Sequence, residues 1–114
     1  FISALQACTD FKTSHEQAIE LQGRAVELMT HGENDSALVL FHKAIELDTT
    51  YYYPYASMVP IYLERKQFDK ALQATNKVIE IKPELAEAWT FAGILYDKQG
   101  DSLRAKTFYK RSIE

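Results

Sequence analysis

The chain repeats itself at an interval of 34 residues, and this period constrains the fold more than any other feature of the sequence. Ala37, Ala71 and Ala105 are spaced by that interval. Three further columns keep residue size or chemistry in the same frame without an insertion: Leu21, Tyr55 and Trp89; Ala25, Val59 and Gly93; Leu28, Tyr62 and Tyr96. Such a period is typical of repeat proteins, whose units bury apolar surface only against their neighbours.

Each unit has the pattern of two helices joined by a short turn. In the first unit, apolar residues at helical spacing predict a helix over 16–30, and Ser14 with Gln17 matches a capping box. A turn follows, after which Asn34 or Asp35 is expected to cap the second helix.

Residue size in these columns predicts how the two helices of a unit pack. The alanines at 37, 71 and 105 are expected where the helices approach closely, faced by the column of Ala25, Val59 and Gly93. A larger side chain there would overpack at a cost of roughly 1–3 kcal/mol. Thr75 stands where the other units have Phe41 and Tyr109, which predicts looser packing in the middle unit.

The third unit carries the residues of a known family. The stretch 88–96, AWTFAGILY, continued by Gly100, Ala105 and Tyr109, resembles the tetratricopeptide repeat, a helix-turn-helix unit of 34 residues. The other two units match at fewer positions. The resemblance covers about residues 18–114.

That resemblance implies an all-α fold: an α-solenoid of three helix-turn-helix repeats wound as a right-handed superhelix. Residues 1–17 are expected to be an N-terminal leader or capping segment, and 18–114 the repeat domain. The expected units are 18–51, 52–85 and 86–114, with the last one truncated.

The resemblance also implies a protein–protein interaction scaffold, which binds a peptide or a partner helix in a concave groove lined by the first helix of each unit. Within each of those helices the expected lining residues share one face. They are Ile19, Gln22, Val26, Met29, Tyr53, Ala56, Pro60, Leu63, Glu64, Glu87, Thr90, Ile94, Asp97 and Lys98.

The charges of this groove predict the chemistry of its ligand. Glu64, Glu87 and Asp97 outnumber Lys98, and most of the remaining positions are apolar. We therefore expect a protein or peptide partner with apolar anchors and a basic end.

One subgroup of the family, the co-chaperones, binds the C-terminal carboxylate of heat-shock chaperones with Lys, Asn and Arg. The matching positions here hold Gln22, Val26, Ser57, Glu87 and Phe91. None of them is basic, and the Glu87 carboxylate would repel a carboxylate ligand. The sequence thus predicts that the chain does not bind in that manner.

The middle unit opens with the stretch 51–62, YYYPYASMVPIY. In the repeat frame it is a first helix, and Pro54 falls in the first turn, where its missing N–H is not needed. Pro60 lies six residues further on and should kink or loosen the helix. By register it points into the groove beside Tyr53 and Ala56, at a Tyr-edged centre of the binding surface.

Composition and spacing exclude several other functions. The net charge is -3 without a basic run, which argues against nucleic acid. His15, His31 and His42 lack metal-ligand spacing, and no glycine-rich phosphate loop occurs. We expect no metal, no cofactor and no enzymatic activity.

Two features leave alternatives open. The segment Phe1–Cys8 resembles the end of a bacterial lipoprotein signal, so the protein is either cytoplasmic or a periplasmic or outer-membrane lipoprotein anchored through Cys8. The other interpretation of this segment is a short helix that caps the first repeat. Exposed apolar residues near Leu103 and Phe108 would suit a self-associating structural fragment, a homodimer through an uncapped repeat end.

Overall fold

The computed structural model describes residues 12–114, which form six α-helices and no strand. The all-α prediction is therefore confirmed for this part of the chain. The predictions about Phe1–Cys8 fall outside the described residues. In chain order the helices are α1 (Ser14–Thr30), α2 (Asn34–Leu47), α3 (Tyr53–Glu64), α4 (Phe68–Ile81), α5 (Ala86–Lys98) and α6 (Ser102–Ser112).

The chain divides into two compact units, one ending at Tyr51 and the other running from Tyr52 to Glu114. In the first unit α1 packs against α2. In the second, α3 packs against α4, α4 against α5, and α5 against α6. Helices α3 and α5 begin close to the predicted repeat boundaries at 52 and 86, whereas α1 already begins before position 18. The boundaries themselves stay predictions.

The predicted caps of α1 and α2 are wrong. Thr13 caps α1, and its hydroxyl oxygen accepts a hydrogen bond from the backbone N–H of Glu16 at 3.1 Å. Ser14 already lies inside the helix. Glu33 occupies the N-cap position of α2 without a side-chain cap bond, so neither Asn34 nor Asp35 acts as the cap. In both helices the observed N-cap residue precedes the predicted one by one or two positions.

The same hydrogen bond closes the turn inside each repeat. The backbone N–H of Glu33, Gln67 and Asp101 donates to the carbonyl five residues earlier, at 2.8–2.9 Å. This Schellman arrangement needs a left-handed residue in the turn. Gly32 and Gly100 supply it with φ of 79° and 84°, while the middle repeat uses Lys66 at φ 58°.

A hydrogen-bonded cluster ties the start of α1 to the end of α2. The His15 Nδ1 lies 2.5 Å from Oδ2 of Asp48. The other oxygen of Asp48 accepts from the backbone N–H and the hydroxyl of Thr50. The Thr50 bonds, followed by His15, hold the pKa of Asp48 below its usual value. The free energy of unfolding of this compact unit is thus expected to decrease as pH falls through the lowered pKa of Asp48.

The core shows how residue sizes match between the helices of a repeat. Ala37, Ala71 and Ala105 are buried as expected. A Cβ at Gly93 would lie 2.7 Å from Cε1 of Tyr109, so the missing side chain makes room for that ring. The expected contact of Gly93 with Ala105 stays a prediction.

The expected exposure of Phe108 is wrong. Its ring is partly buried and packs against Trp89 and Tyr96, with ring centroids 5.2 and 4.9 Å away. Leu103, by contrast, is 80% exposed. Self-association through this end of the chain stays a prediction.

Gly93→Ala is expected to destabilise the protein by roughly 1–3 kcal/mol, because the Tyr109 ring must move to admit a Cβ. Thermal or urea unfolding measures this change. Gly23→Ala is the matched control: it adds the same methyl group inside α1 with no atom within 4 Å, and should stabilise by about 0.5–1 kcal/mol. Equal effects at the two glycines would contradict the assigned Tyr109 contact.

Lys66→Gly is expected to stabilise the protein by about 0.5–1 kcal/mol. An L-residue in the left-handed region costs roughly 1–2 kcal/mol, and the greater flexibility of unfolded glycine offsets part of the gain. The urea midpoint should rise at unchanged slope. The reverse change at the equivalent turn, Gly32→Lys, should lower it. A lower midpoint for Lys66→Gly would contradict the prediction.

Candidate functional site

An apolar cavity of about 480 Å³ lies in the second unit, bordered by α3, α4, α5 and the residues that precede α3 and α5. Its size falls in the range of ligand-binding clefts. It is lined by Tyr52, Tyr53, Ala56, Val59, Pro60, Leu63, Thr75, Val78, Leu85, Glu87, Ala88 and Phe91.

The cavity has an exposed mouth and a buried floor. Tyr53 and Phe91 are 50% and 44% exposed, and Pro60 is exposed as well. Thr75 and Val78 are only 2% and 4% exposed. Solvent-facing side chains of α3 and α5 therefore lead inward to side chains of α4.

Helix α3 supplies one wall because four of its residues fall on one helical face: Tyr53, Ala56, Pro60 and Leu63. The helix continues without a break through Pro60 to its end at Glu64. Since Pro60 has no N–H, it cannot donate the usual helix hydrogen bond to the carbonyl of Ala56. Its ring lines the cavity instead.

Aromatic stacking orders one edge of the mouth. The rings of Tyr52 and Tyr53 stack with centroids 4.3 Å apart. The Lys82 ammonium lies 5.1 Å from the centre of the Tyr52 ring, at cation–π distance. Glu87, on α5, is exposed and is the single charged side chain among the lining residues.

The floor is nearly free of polar groups that could bind a ligand. Thr75 donates its hydroxyl proton to the carbonyl of Ala71 at 2.8 Å, within α4. Its neighbours in the lining, Val59, Val78 and Ala88, are buried apolar residues. The arrangement suits an apolar group and offers no charge to compensate a buried ion.

The structure brings together five of the fourteen predicted groove residues at this cavity: Tyr53, Ala56, Pro60, Leu63 and Glu87. Other predicted residues of α3 and α5 do not line it. Among these, Ile94 is 37% exposed, and Lys98 has its ammonium 5.6 Å from the ring of Phe68, at the start of α4. The rest of this group are Glu64, Thr90 and Asp97.

The four predicted residues of α1 lie in the first unit. Ile19 is 45% exposed, while Gln22, Val26 and Met29 are half-buried. Their role in binding stays a prediction.

Sequence reasoning missed the inner part of the cavity. Thr75 and Val78 belong to a second helix, which the family resemblance does not assign to the groove. The available signal was Thr75 itself, a small residue in an otherwise aromatic column. The other lining residues that were not predicted are Tyr52, Val59, Leu85, Ala88 and Phe91.

Within residues 12–114, no three or more His, Cys, Asp or Glu side chains are grouped so that they could hold a metal ion. No helix in this part of the chain has the length and apolarity that crossing a membrane requires.

Comparison with protein families shows which class this fold represents. A family model described as tetratricopeptide repeat matches residues 28–95, and a second one with the same description matches residues 86–114. The chain therefore belongs to the tetratricopeptide repeat family. It is accordingly a helical repeat solenoid and a protein–protein interaction module.

Relatives and solved structures agree with this assignment. The chain is 31% identical over 94 residues to the Heat shock protein STI1 of Saccharomyces cerevisiae, covering 82% of this chain but only 16% of that protein. It also resembles the solved N-terminal domain of stress-induced protein-1 from C. elegans, with 26% identity and a TM-score of 0.81, over 90% of this chain and 87% of that one.

A third similar structure is the second TPR of Spaghetti (RPAP3) bound to the HSP90 peptide SRMEEVD. The TM-score is 0.78 at 18% identity, over 87% of this chain and 92% of that one. This likeness shows the shared fold alone.

Proposed function

We propose that the second compact unit, Tyr52–Glu114, binds a peptide segment of a partner protein at the cavity bordered by α3, α4 and α5. The observation that carries this proposal is the cavity of about 480 Å³ with its apolar lining. Tyr53 and Phe91 hold large apolar surfaces in water at its mouth. Covering them with a ligand is favourable, because apolar surface gains free energy when it leaves water.

Charge at the mouth supports a basic residue beside the apolar anchor of the ligand. Glu87 is exposed at the cavity, and Asp97 is exposed further along α5. A carboxylate at the rim attracts a cation while remaining hydrated, so it contributes more to orientation and association rate than to affinity. The partner segment is therefore a peptide with apolar anchors and a basic flank.

The double variant Tyr53→Ala, Leu63→Ala tests this function. Peptides are first selected on the wild-type chain from a phage-displayed library of random dodecapeptides, and their affinities are then measured by fluorescence anisotropy. The variant should bind the selected peptides at least about tenfold more weakly, because truncating interface anchors costs more than 1 kcal/mol.

The matched control is Val39→Ala, Leu103→Ala, which also shortens two exposed apolar side chains, 54% and 80% exposed. Neither residue lines the cavity. This variant should bind as the wild type does. A library that yields no binder above background, or equal losses in the two double variants, would overturn the proposed function.

The proposal excludes a C-terminal carboxylate as the anchor of the ligand. The chain resembles STI1, and the RPAP3 domain of the same fold holds an HSP90 peptide, so this alternative has a defined test. The exclusion of a carboxylate anchor rests on residue types. Glu87 and Phe91, which correspond to the family's carboxylate-binding positions, both line the cavity here, and neither is basic.

Titration with the peptide SRMEEVD is expected to give no saturable binding up to about 1 mM, the concentration range of interactions near −4 kcal/mol. Glu87→Lys should improve binding, since it replaces a repulsive charge with an attractive one. The C-terminally amidated peptide controls for contacts that do not involve the carboxylate. Saturable wild-type binding that weakens on amidation would contradict the prediction.

A further inference from the structure

We propose that the cavity floor receives one large apolar side chain of the bound peptide, aromatic by preference, and that Thr75 determines the size of the side chain accepted. This inference deepens the proposed peptide-binding function and rests on it.

The depth of the cavity is the first observation. Thr75 and Val78 belong to α4, yet they share the cavity with the exposed Tyr53 and Phe91 of α3 and α5. A peptide backbone lying at the mouth can fill the space down to α4 only with a long side chain.

The repeat frame explains why space is present at this place. Phe41, in the first repeat, is fully buried, and Tyr109, in the third, packs over Gly93. The equivalent residue of the middle repeat is Thr75, which has no ring. Val59 adds only a short side chain in the glycine column. A ring from a partner would thus fill a volume that an internal ring fills in the other repeats.

Size and polarity favour an aromatic occupant. Cavities of roughly 150 Å³ already hold benzene, and this one measures about 480 Å³. The hydroxyl proton of Thr75 is donated to Ala71, so a charged side chain would be desolvated there without a partner. Tyr53 and Phe91 offer ring contacts at the mouth, while Glu87 suits a Lys or Arg next to the anchor.

Binding of an aromatic side chain in the cavity can be tested first without a peptide. The N-acetyl amides of tryptophan, phenylalanine, leucine and aspartate are titrated into the full chain, and the methyl resonances of Val59, Leu63 and Val78 are followed by NMR. The two aromatic probes should shift these methyls saturably, leucine should do so more weakly, and aspartate should not. Equal shifts from all four probes, or none, would overturn the proposal.

Filling the cavity with a side chain of the protein itself provides the second test. The double variant Val59→Ala, Thr75→Phe recreates the Ala25 and Phe41 pair of the first repeat, which avoids overpacking a lone phenylalanine. It should retain cooperative unfolding, lose the probe-induced shifts of the Leu63 and Val78 methyls, and bind library-selected peptides about 30-fold more weakly, the effect of losing a hot-spot anchor. Thr107→Phe adds the same ring at an exposed position of α6 and should change neither the methyl shifts nor the peptide affinity.

A variant that enlarges the cavity instead of filling it distinguishes an effect of cavity size from damage to the fold. Thr75→Ala enlarges the floor and should raise the preference for tryptophan over leucine at the anchor position. An unchanged preference would overturn the role of Thr75.

The failure of this inference and of the proposed function can be told apart. Selected peptides that bind the wild type and Val59→Ala, Thr75→Phe equally well would leave peptide binding intact and overturn the anchor pocket. Probe-induced methyl shifts in a chain that selects no peptide would overturn the peptide-binding function while retaining the pocket and its selectivity.

Discussion

The close approach of two helices within a repeat depends on matching a small residue on one helix to a large one on the other. The third repeat shows this directly, since the missing Cβ of Gly93 leaves room for the Tyr109 ring. The first repeat has Ala25 and a fully buried Phe41 at the same positions. In the middle repeat the two positions hold Val59 and Thr75, which are similar in size and carry no ring, and both border the cavity. The candidate binding site thus arises at the one repeat that departs from the packing pattern of the other two.

Helix α3 has a packed face and an open face, and this division explains why Pro60 is tolerated inside the helix. On the inner side of α3, Met58, Ile61 and Tyr62 are buried and hold the helix in place. Pro60 lies on the exposed side, where it removes one backbone hydrogen bond but no core contact. Because tertiary packing supplies most of the stability of a helix in a protein, α3 continues through the proline. The residue that is costly for local helix formation is therefore tolerated where it also shapes the mouth of the cavity.

Much of the architecture could be predicted from the sequence, because a repeat period is a local and redundant signal. It indicated the succession of helix pairs, which the structure confirms. It misplaced the cap of α1, because Thr13 and Ser14 have similar hydroxyl side chains and only backbone geometry distinguishes them. It also missed that Lys66 adopts the left-handed conformation of the turn glycines, since hydrogen bonding across the turn imposes this conformation against the preference of the residue.

The sequence by itself determined the repeat frame and which residues share a face of each helix, as for Tyr53, Pro60 and Leu63. Helical periodicity depends only on spacing along one segment, so it needs no knowledge of neighbouring helices. Only the tertiary structure decided that Thr75 of α4 lies at the bottom of a cavity whose mouth is on α3 and α5. A cavity is the volume left over when several helices pack, and that volume depends on all of their side chains together.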